Sequence, residues 1–288
     1  MVGTIVVGIE GTERSRVALR WSMERAAATG TEISLTHVID DEWATVGSRI
    51  LGGMRVDAER LLEREAEYAR SLTSGVVVST QLLHGNLMDE LIVTSKNADL
   101  LAVGTHNTGF IYGRVFGSRS ILLAAAAYSP VAIIPQSLLC GGRGVVVGVD
   151  DSDAGRAAIC FAAAEAQRAR QTLTLVRASG TPRLRAEQDE WQQQRDLYSD
   201  EHAKTILCKA ETIAKSVDAD SEIRVSRIRR PAAEALLDAS ATAALLVVGS
   251  SRREGANRMM LGSVSHDVLI NLTGPTIVVH GAKAVSVS

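Results

Sequence analysis

Ile5-Val6-Val7-Gly8-Ile9-Glu10 recurs as Val145-Val146-Val147-Gly148-Val149-Asp150, 140 residues further along the chain, and that offset holds without a gap through Leu35 and Leu175. A second block, Leu100-Leu101-Ala102-Val103-Gly104, returns as Leu245-Leu246-Val247-Val248-Gly249 at an offset of 145, as do Gly117-Ser118 in Gly262-Ser263 and Pro130 in Pro275. The second copy therefore carries five extra residues between the blocks (145 minus 140). A repeat changes what length means. At roughly 100–200 residues per domain, 288 residues suggest two domains, and the repeat makes them two copies of one domain, 1–137 and 144–282. Between them, Gly141, Gly142 and Gly144 read as a flexible connection.

Within each copy, short continuous apolar runs alternate with longer periodic segments. Thr4 to Ile9, Ile33 to Val38, Val76 to Leu83, Leu100 to Gly104 and Val131 to Pro135 read as strands. Unbroken apolarity implies burial on both faces, as in a parallel sheet covered by helices. Ser15 to Thr29, Val56 to Leu72, Leu87 to Lys96 and Ser118 to Tyr128 read as those helices. The second copy follows the same order, with Trp191 to Ser216 as a long polar helical stretch that carries the insertion and presents a solvated face. The predicted fold is α/β: two tandem doubly wound five-stranded parallel sheets with helices on both faces.

Composition narrows the function. With 31 basic and 33 acidic residues the net charge is -2, which gives no global field for nucleic acid. No apolar run reaches the roughly 18–20 residues of a membrane span, and the start lacks a signal-peptide pattern, so a cytoplasmic protein without membrane contact is expected. Cys140, Cys160 and Cys208 are odd in number and far apart, which predicts free thiols. The six histidines show no metal-ligand spacing with acids or cysteines, and no nucleophile elbow, Walker A sequence or dinucleotide fingerprint occurs. No metal site of the chain's own and no dedicated catalysis are expected.

Ligands of doubly wound sheets bind at the carboxyl ends of the strands. The loop after the fourth strand is the informative one: it leaves Gly104, and Gly117-Ser118 opens a helix of small apolar residues. Glycine lets a phosphate approach the backbone, and the N–H groups and dipole of the helix start favour its charge. The same pair also reads as a tight turn with a serine N-cap. His37, at a strand end, reads as a satisfied half-buried histidine, and His84-Gly85-Asn86 as a turn with Asn86 as N-cap.

These motifs resemble the universal stress protein family, whose first strand ends V-G-x-D-x-S, whose second ends near H-V, and whose fourth is followed by G-x-x-G, nine residues, then G-S or G-T. The first copy reads VGIEGTERS, THV, then Gly104-Thr105-His106-Asn107 and nine residues to Gly117-Ser118. The second reads VGVDDSDAG, LVRA, then Gly249-Ser250-Ser251-Arg252 and nine residues to Gly262-Ser263. The match covers nearly the whole chain and implies an adenine-nucleotide alpha-hydrolase-like, Rossmann-like fold. It also implies a stress-response regulator or sensor that binds ATP or a related adenine nucleotide, with Mg accompanying it. Carried over by position, the implied binding residues are Glu10, Val38, Val103, Gly104, Asn107, Gly117 and Ser118 in the first copy. In the second they are Asp150, Ala178, Val248, Gly249, Arg252, Gly262 and Ser263.

Both copies depart from the pattern. Asn107 and Arg252 stand where the second motif glycine belongs, Glu10 replaces aspartate, and Arg177-Ala178 replaces H-V. The alternative readings are a non-nucleotide-binding member that works as a protein-interaction module, and an ATP-dependent enzyme. Family members pair through the fifth strand, which implies pairing of the two repeats and a homodimer; Ile133-Ile134 and Val278-Val279 are the apolar pairs placed to do so.

Overall fold

The computed structural model describes residues 3–40, 48–105, 118–136, 142–179, 190–251 and 260–281. They divide into two compact units, 3–136 with Met260, and 142–251 with 261–281. The first unit runs β1 (Thr4–Gly8), α1 (Glu13–Thr29), β2 (Glu32–Asp40), α2 (Ser48–Leu72), β3 (Val78–Gly85), α3 (Leu87–Thr94), β4 (Leu100–Thr105), α4 (Ser118–Ala126) and β5 (Val131–Pro135). The second runs β6 (Val145–Gly148), α5 (Asp153–Ala169), β7 (Leu173–Ala178), α6 (Glu190–Val217), β8 (Ile223–Ile228), α7 (Ala232–Ser240), β9 (Leu245–Ser250), α8 (Ser263–Ile270) and β10 (Thr276–His280).

In the first unit the strands are parallel in the order β3-β2-β1-β4-β5, and the second repeats it as β8-β7-β6-β9-β10. The register is the same in both. Ile5 lies opposite Ile33 and Leu100, and Val145 opposite Leu173 and Leu245. Ile33 pairs with Val78 and Leu173 with Ile223, so the offset changes from 140 to 145 between β7 and β8, where the five extra residues lie. Helix α6, at 28 residues against 25 for α2, takes up three of them.

The local signals explain the elements. At the start of α1, Thr12 accepts a hydrogen bond from the Ser15 N–H, and Ser15 Oγ accepts from the Thr12 N–H, so two orphan donors are satisfied reciprocally. Val17, Leu19, Met23 and Ala26 face the sheet, and Gly30 ends the helix in the left-handed conformation at φ 67°. Helix α5 buries a run of small residues, Ala154, Ala158, Ala162, Ala163 and Ala166. Small residues allow close approach: a Cβ at Gly104 would stand 2.2 Å from the Arg14 carbonyl oxygen of α1, and one at Gly249 would stand 2.6 Å from that of Ala154 in α5.

Four expectations are corrected. Helix α2 begins at Ser48 rather than Val56, because Gly52 and Gly53 lie on an exposed face and do not break it. The second strand continues past Val38 to Asp40, where it pairs with β3 up to Gly85. His84 and Gly85 therefore belong to β3 rather than to a turn, while Asn86 is the N-cap, accepting from the N–H groups of Met88 and Asp89. The strand β3 ends the order and leaves Ser79, Thr80 and Gln81 exposed, so continuous burial does not extend to it. Cys160 and Cys208 are free thiols; Cys140 lies outside the described residues.

Candidate functional site

The strand order reverses on either side of β1, and a cavity of about 240 Å³ opens at the carboxyl ends of β1, β2 and β4. Glu10, Val38, Val103 and Gly104, four of the predicted residues, line it together. The equivalent cavity of the second unit, about 130 Å³, is lined by Asp150, Ala178, Val248 and Gly249. Asn107, Gly117 and Arg252 lie outside the described residues, and of Ser118 only its place as the first residue of α4 is described. Gly262 is the residue before α8 and Ser263 its first residue, adjoining Val264, which lines the second cavity.

Val38 earns its place through the register. The Thr36 carbonyl accepts from the Ile9 N–H at 2.9 Å. Alternate residues of a strand direct their backbone groups to the same neighbour, so Val38, two residues on, presents its N–H and C=O past the end of β1. Val176 and Val149 repeat the bond at 2.9 Å, which puts Ala178 in the same position in the second unit. A ligand there meets an open strand edge.

The glycines divide into two kinds. Gly104 and Gly249 are required by helix packing, since a side chain at either would enter the backbone of α1 or α5. At Gly262, a Cβ meets nothing within 4 Å, so that glycine leaves open space before the first turn of α8. Glycine at the fourth-strand end is thus explained by the fold before any ligand is considered.

The acidic residues behave differently in the two units. Asp150 Oδ1 accepts from both the N–H and the hydroxyl of Ser152, at 3.0 and 2.6 Å, and Ser152 Oγ in turn caps α5 at Gly155 N–H. The carboxylate can fold back because residue 155 is glycine: a Cβ there would stand 2.0 Å from Asp150 Oδ1. In the first unit Ser15 holds that place, its hydroxyl donating to the Thr12 carbonyl at 2.9 Å. Glu10 is exposed at the cavity with no side-chain partner among the described residues.

Sequence reasoning singled out neither His37 nor Arg177 as a lining residue, yet both line their cavities at equivalent positions. His37 Nδ1 donates to the Ile9 carbonyl at 2.7 Å, which makes it the satisfied half-buried histidine expected. Arg119 was also missed. It lies in the first turn of α4, exposed, lining the first cavity without a carboxylate partner among the described residues. Its signal was a lone cation at the start of a helix of small apolar residues; Val264 stands there in the second unit.

The described residues bring together an acid without a side-chain partner, an open strand edge and an apolar wall from Leu87, Leu91 and Val103. A model of the universal stress protein family matches residues 1–135 and 143–280. The chain belongs to the universal stress protein family. Two universal stress proteins of Mycobacterium tuberculosis (strain ATCC 25618 / H37Rv) are each 28% identical to it, over 95% of this chain and 94% or 95% of theirs. Among solved structures, a universal stress protein from Archaeoglobus fulgidus DSM 4304 superposes with a TM-score of 0.73 at 18% identity, covering 97% of this chain and 98% of that one. A second, from Pseudomonas aeruginosa UCBPP-PA14, gives 0.62 at 18% identity, over 97% of this chain and 93% of its own. Both share the α/β fold with this universal stress protein. No helix among the described residues is long and apolar enough to cross a membrane.

Proposed function

We propose that this universal stress protein is a regulator or sensor that binds ATP or a related adenine nucleotide in its first repeat. The observation that carries the reading is the Glu10 carboxylate without a side-chain partner among the described residues, in a cavity whose second-repeat counterpart, Asp150, has Oδ1 held by Ser152. Glu10 and the Val38 backbone accept from and donate to the nucleoside, and the phosphates extend toward α4, whose first turn carries Arg119. A helix start and a free guanidinium both favour anionic oxygens. Among the described residues no group of His, Cys, Asp and Glu side chains is arranged to hold a metal alone, so Mg would arrive on the phosphates.

The reading is of binding rather than turnover. His37, the cavity residue best suited to proton transfer, has Nδ1 committed to the Ile9 carbonyl. The test is calorimetry with ATP on nucleotide-free protein. One site per chain is expected, weakened at least tenfold by Glu10→Ala and unchanged by Asp150→Ala. An absence of binding at millimolar ATP, or equal sensitivity to both substitutions, rejects it.

A further inference from the structure

Arg177 occupies an unusual position for a cation. It extends from the end of β7 into the second cavity, half-buried, and Nη1 donates to the Val149 carbonyl at 3.0 Å. Its Nε is buried without a partner. No carboxylate among the described residues forms an ion pair with it; Asp150, the acid lining the same cavity, turns its Oδ1 to Ser152 rather than to the guanidinium. Half-burial at the cavity strengthens the attraction of Arg177 for an anion relative to open water.

The rest of the cavity states what kind of anion. Its walls include Val149, Ala232, Leu236, Val248 and Val264, and its volume is about 130 Å³. Among the described residues one guanidinium lines the cavity, fewer donors than a phosphate would take, and the corner where the first repeat carries Arg119 is here Val264. One planar, singly charged group matches the guanidinium fork, and an apolar body matches the aliphatic walls. Among the described residues, the arginines that line the two cavities stand at opposite ends: Arg119 beside α4 in the first repeat, Arg177 at the end of β7 in the second.

We propose that the second repeat binds a small apolar carboxylate, its oxygens on the Arg177 guanidinium and its hydrocarbon part against Leu236, Val248 and Val264. The site is separate from the nucleotide reading of the first repeat and stands or falls without it.

The experiment is methyl NMR on the full chain with labelled leucine and valine, titrated with 3-methylbutanoate and benzoate, and with 3-methylbutanamide as the neutral isostere. The carboxylates should shift the Leu236, Val248 and Val264 methyls saturably, and the amide should bind at least tenfold more weakly. Arg177→Met should lose the response and Arg177→Lys retain part of it. Should Arg177→Met fail to fold, Arg177→His, which installs the first repeat's residue, should lose it equally. Methyls that do not respond to either carboxylate, respond equally to the amide, or respond to ATP in their place overturn the proposal. So does an undiminished response in a folded Arg177→Met or Arg177→His variant.

Discussion

His37 Nδ1 lies 2.7 Å from the carbonyl oxygen of Ile9, and in the second repeat Arg177 Nη1 reaches the equivalent carbonyl, that of Val149, at 3.0 Å. Two unlike side chains thus tie the end of the first strand to the second. Because a carbonyl can only accept, Nδ1 carries the proton. Replacing His37 by Leu leaves the Ile9 carbonyl without that donor, and a lost partner for a half-buried polar group costs about 1–3 kcal/mol. Urea unfolding should show His37→Leu destabilised by that order with an unchanged slope, whereas His37→Arg, which imports the second repeat's donor, should recover at least half of the loss.

The two kinds of glycine give a second prediction. A methyl group at residue 104 collides with the Arg14 carbonyl oxygen at 2.2 Å, and backbone cannot swing aside as a side chain does. Overpacking of this kind costs about 1–3 kcal/mol or more. Gly262→Ala meets open space at φ −62°, so stability should change by less than about 0.5 kcal/mol. Thermal melts of the two variants test the contrast, and similar melting temperatures would refute it.

Glu65 of α2 is 1% exposed and receives Arg16 of α1 through both Nε and Nη2, at 2.9 Å for the closer contacts, with Tyr68 under the same guanidinium at 5.1 Å. Hydrogen bonding to Glu65, followed by its charge, raises the Arg16 pKa further above its already high value. The partners are not equivalent, because Arg16 is 35% exposed and regains water when left alone. Arg16→Met leaves the buried carboxylate only the longer contact from Arg64 Nε at 3.4 Å and should cost up to about 3–5 kcal/mol. Exchanging both residues, Arg16→Met with Glu65→Leu, should restore most of that. Chemical denaturation of the single and double variants decides it; an additive double variant would show that the pair is not coupled.

Parallel pairing was legible from the unbroken apolar runs, and the equivalence of the two units and the position of the insertion from the offsets: the same residues recur at 140 and 145, and the register of β1, β2, β4 and β5 is repeated at them. The state of the acidic residues was not. Whether residue 10 or 150 is free depends on a position five residues later, Ser15 or Gly155, where a single hydroxymethyl group decides if the carboxylate folds onto the helix start. At Gly104 the close approach of α1 was not legible, since sequence spacing does not distinguish room made for a ligand from room made for a helix. The start of α2 was missed because Gly52-Gly53 signals a break by propensity, about 1 kcal/mol per glycine, which the rest of a 25-residue helix overrides.

Asp200 of α6 makes ion pairs with Arg227 at 2.6 Å and Arg229 at 2.7 Å. Desolvation pushes its carboxyl up, but hydrogen bonds and charge from the two arginines outweigh this and hold it below the ordinary carboxylate range. A depressed folded-state pKa contributes stability that is present above the unfolded value of about 4 and is lost as pH falls through the folded value. Asp200→Asn should therefore be less stable than the parent chain at pH 7, with the gap closing as the pH is taken below about 4. A gap that stays constant across that range would assign the effect to packing rather than charge.

Arg119 and Val264 hold equivalent places in the two cavities, one cationic and one apolar, which separates recognition of phosphate from recognition of the nucleoside. A charge-assisted hydrogen bond contributes about 1.5–3 kcal/mol, so Arg119→Val should weaken ATP binding by about tenfold or more. Adenosine, which brings no phosphate to that corner, should bind the variant as it binds the parent. Screening acts on charge pairs and little on apolar contacts, so the salt dependence of ATP affinity should flatten in Arg119→Val. Parallel titrations with ATP and adenosine at low and high salt give all four numbers. Equal losses for both ligands would mean that Arg119 shapes the cavity rather than holding a phosphate.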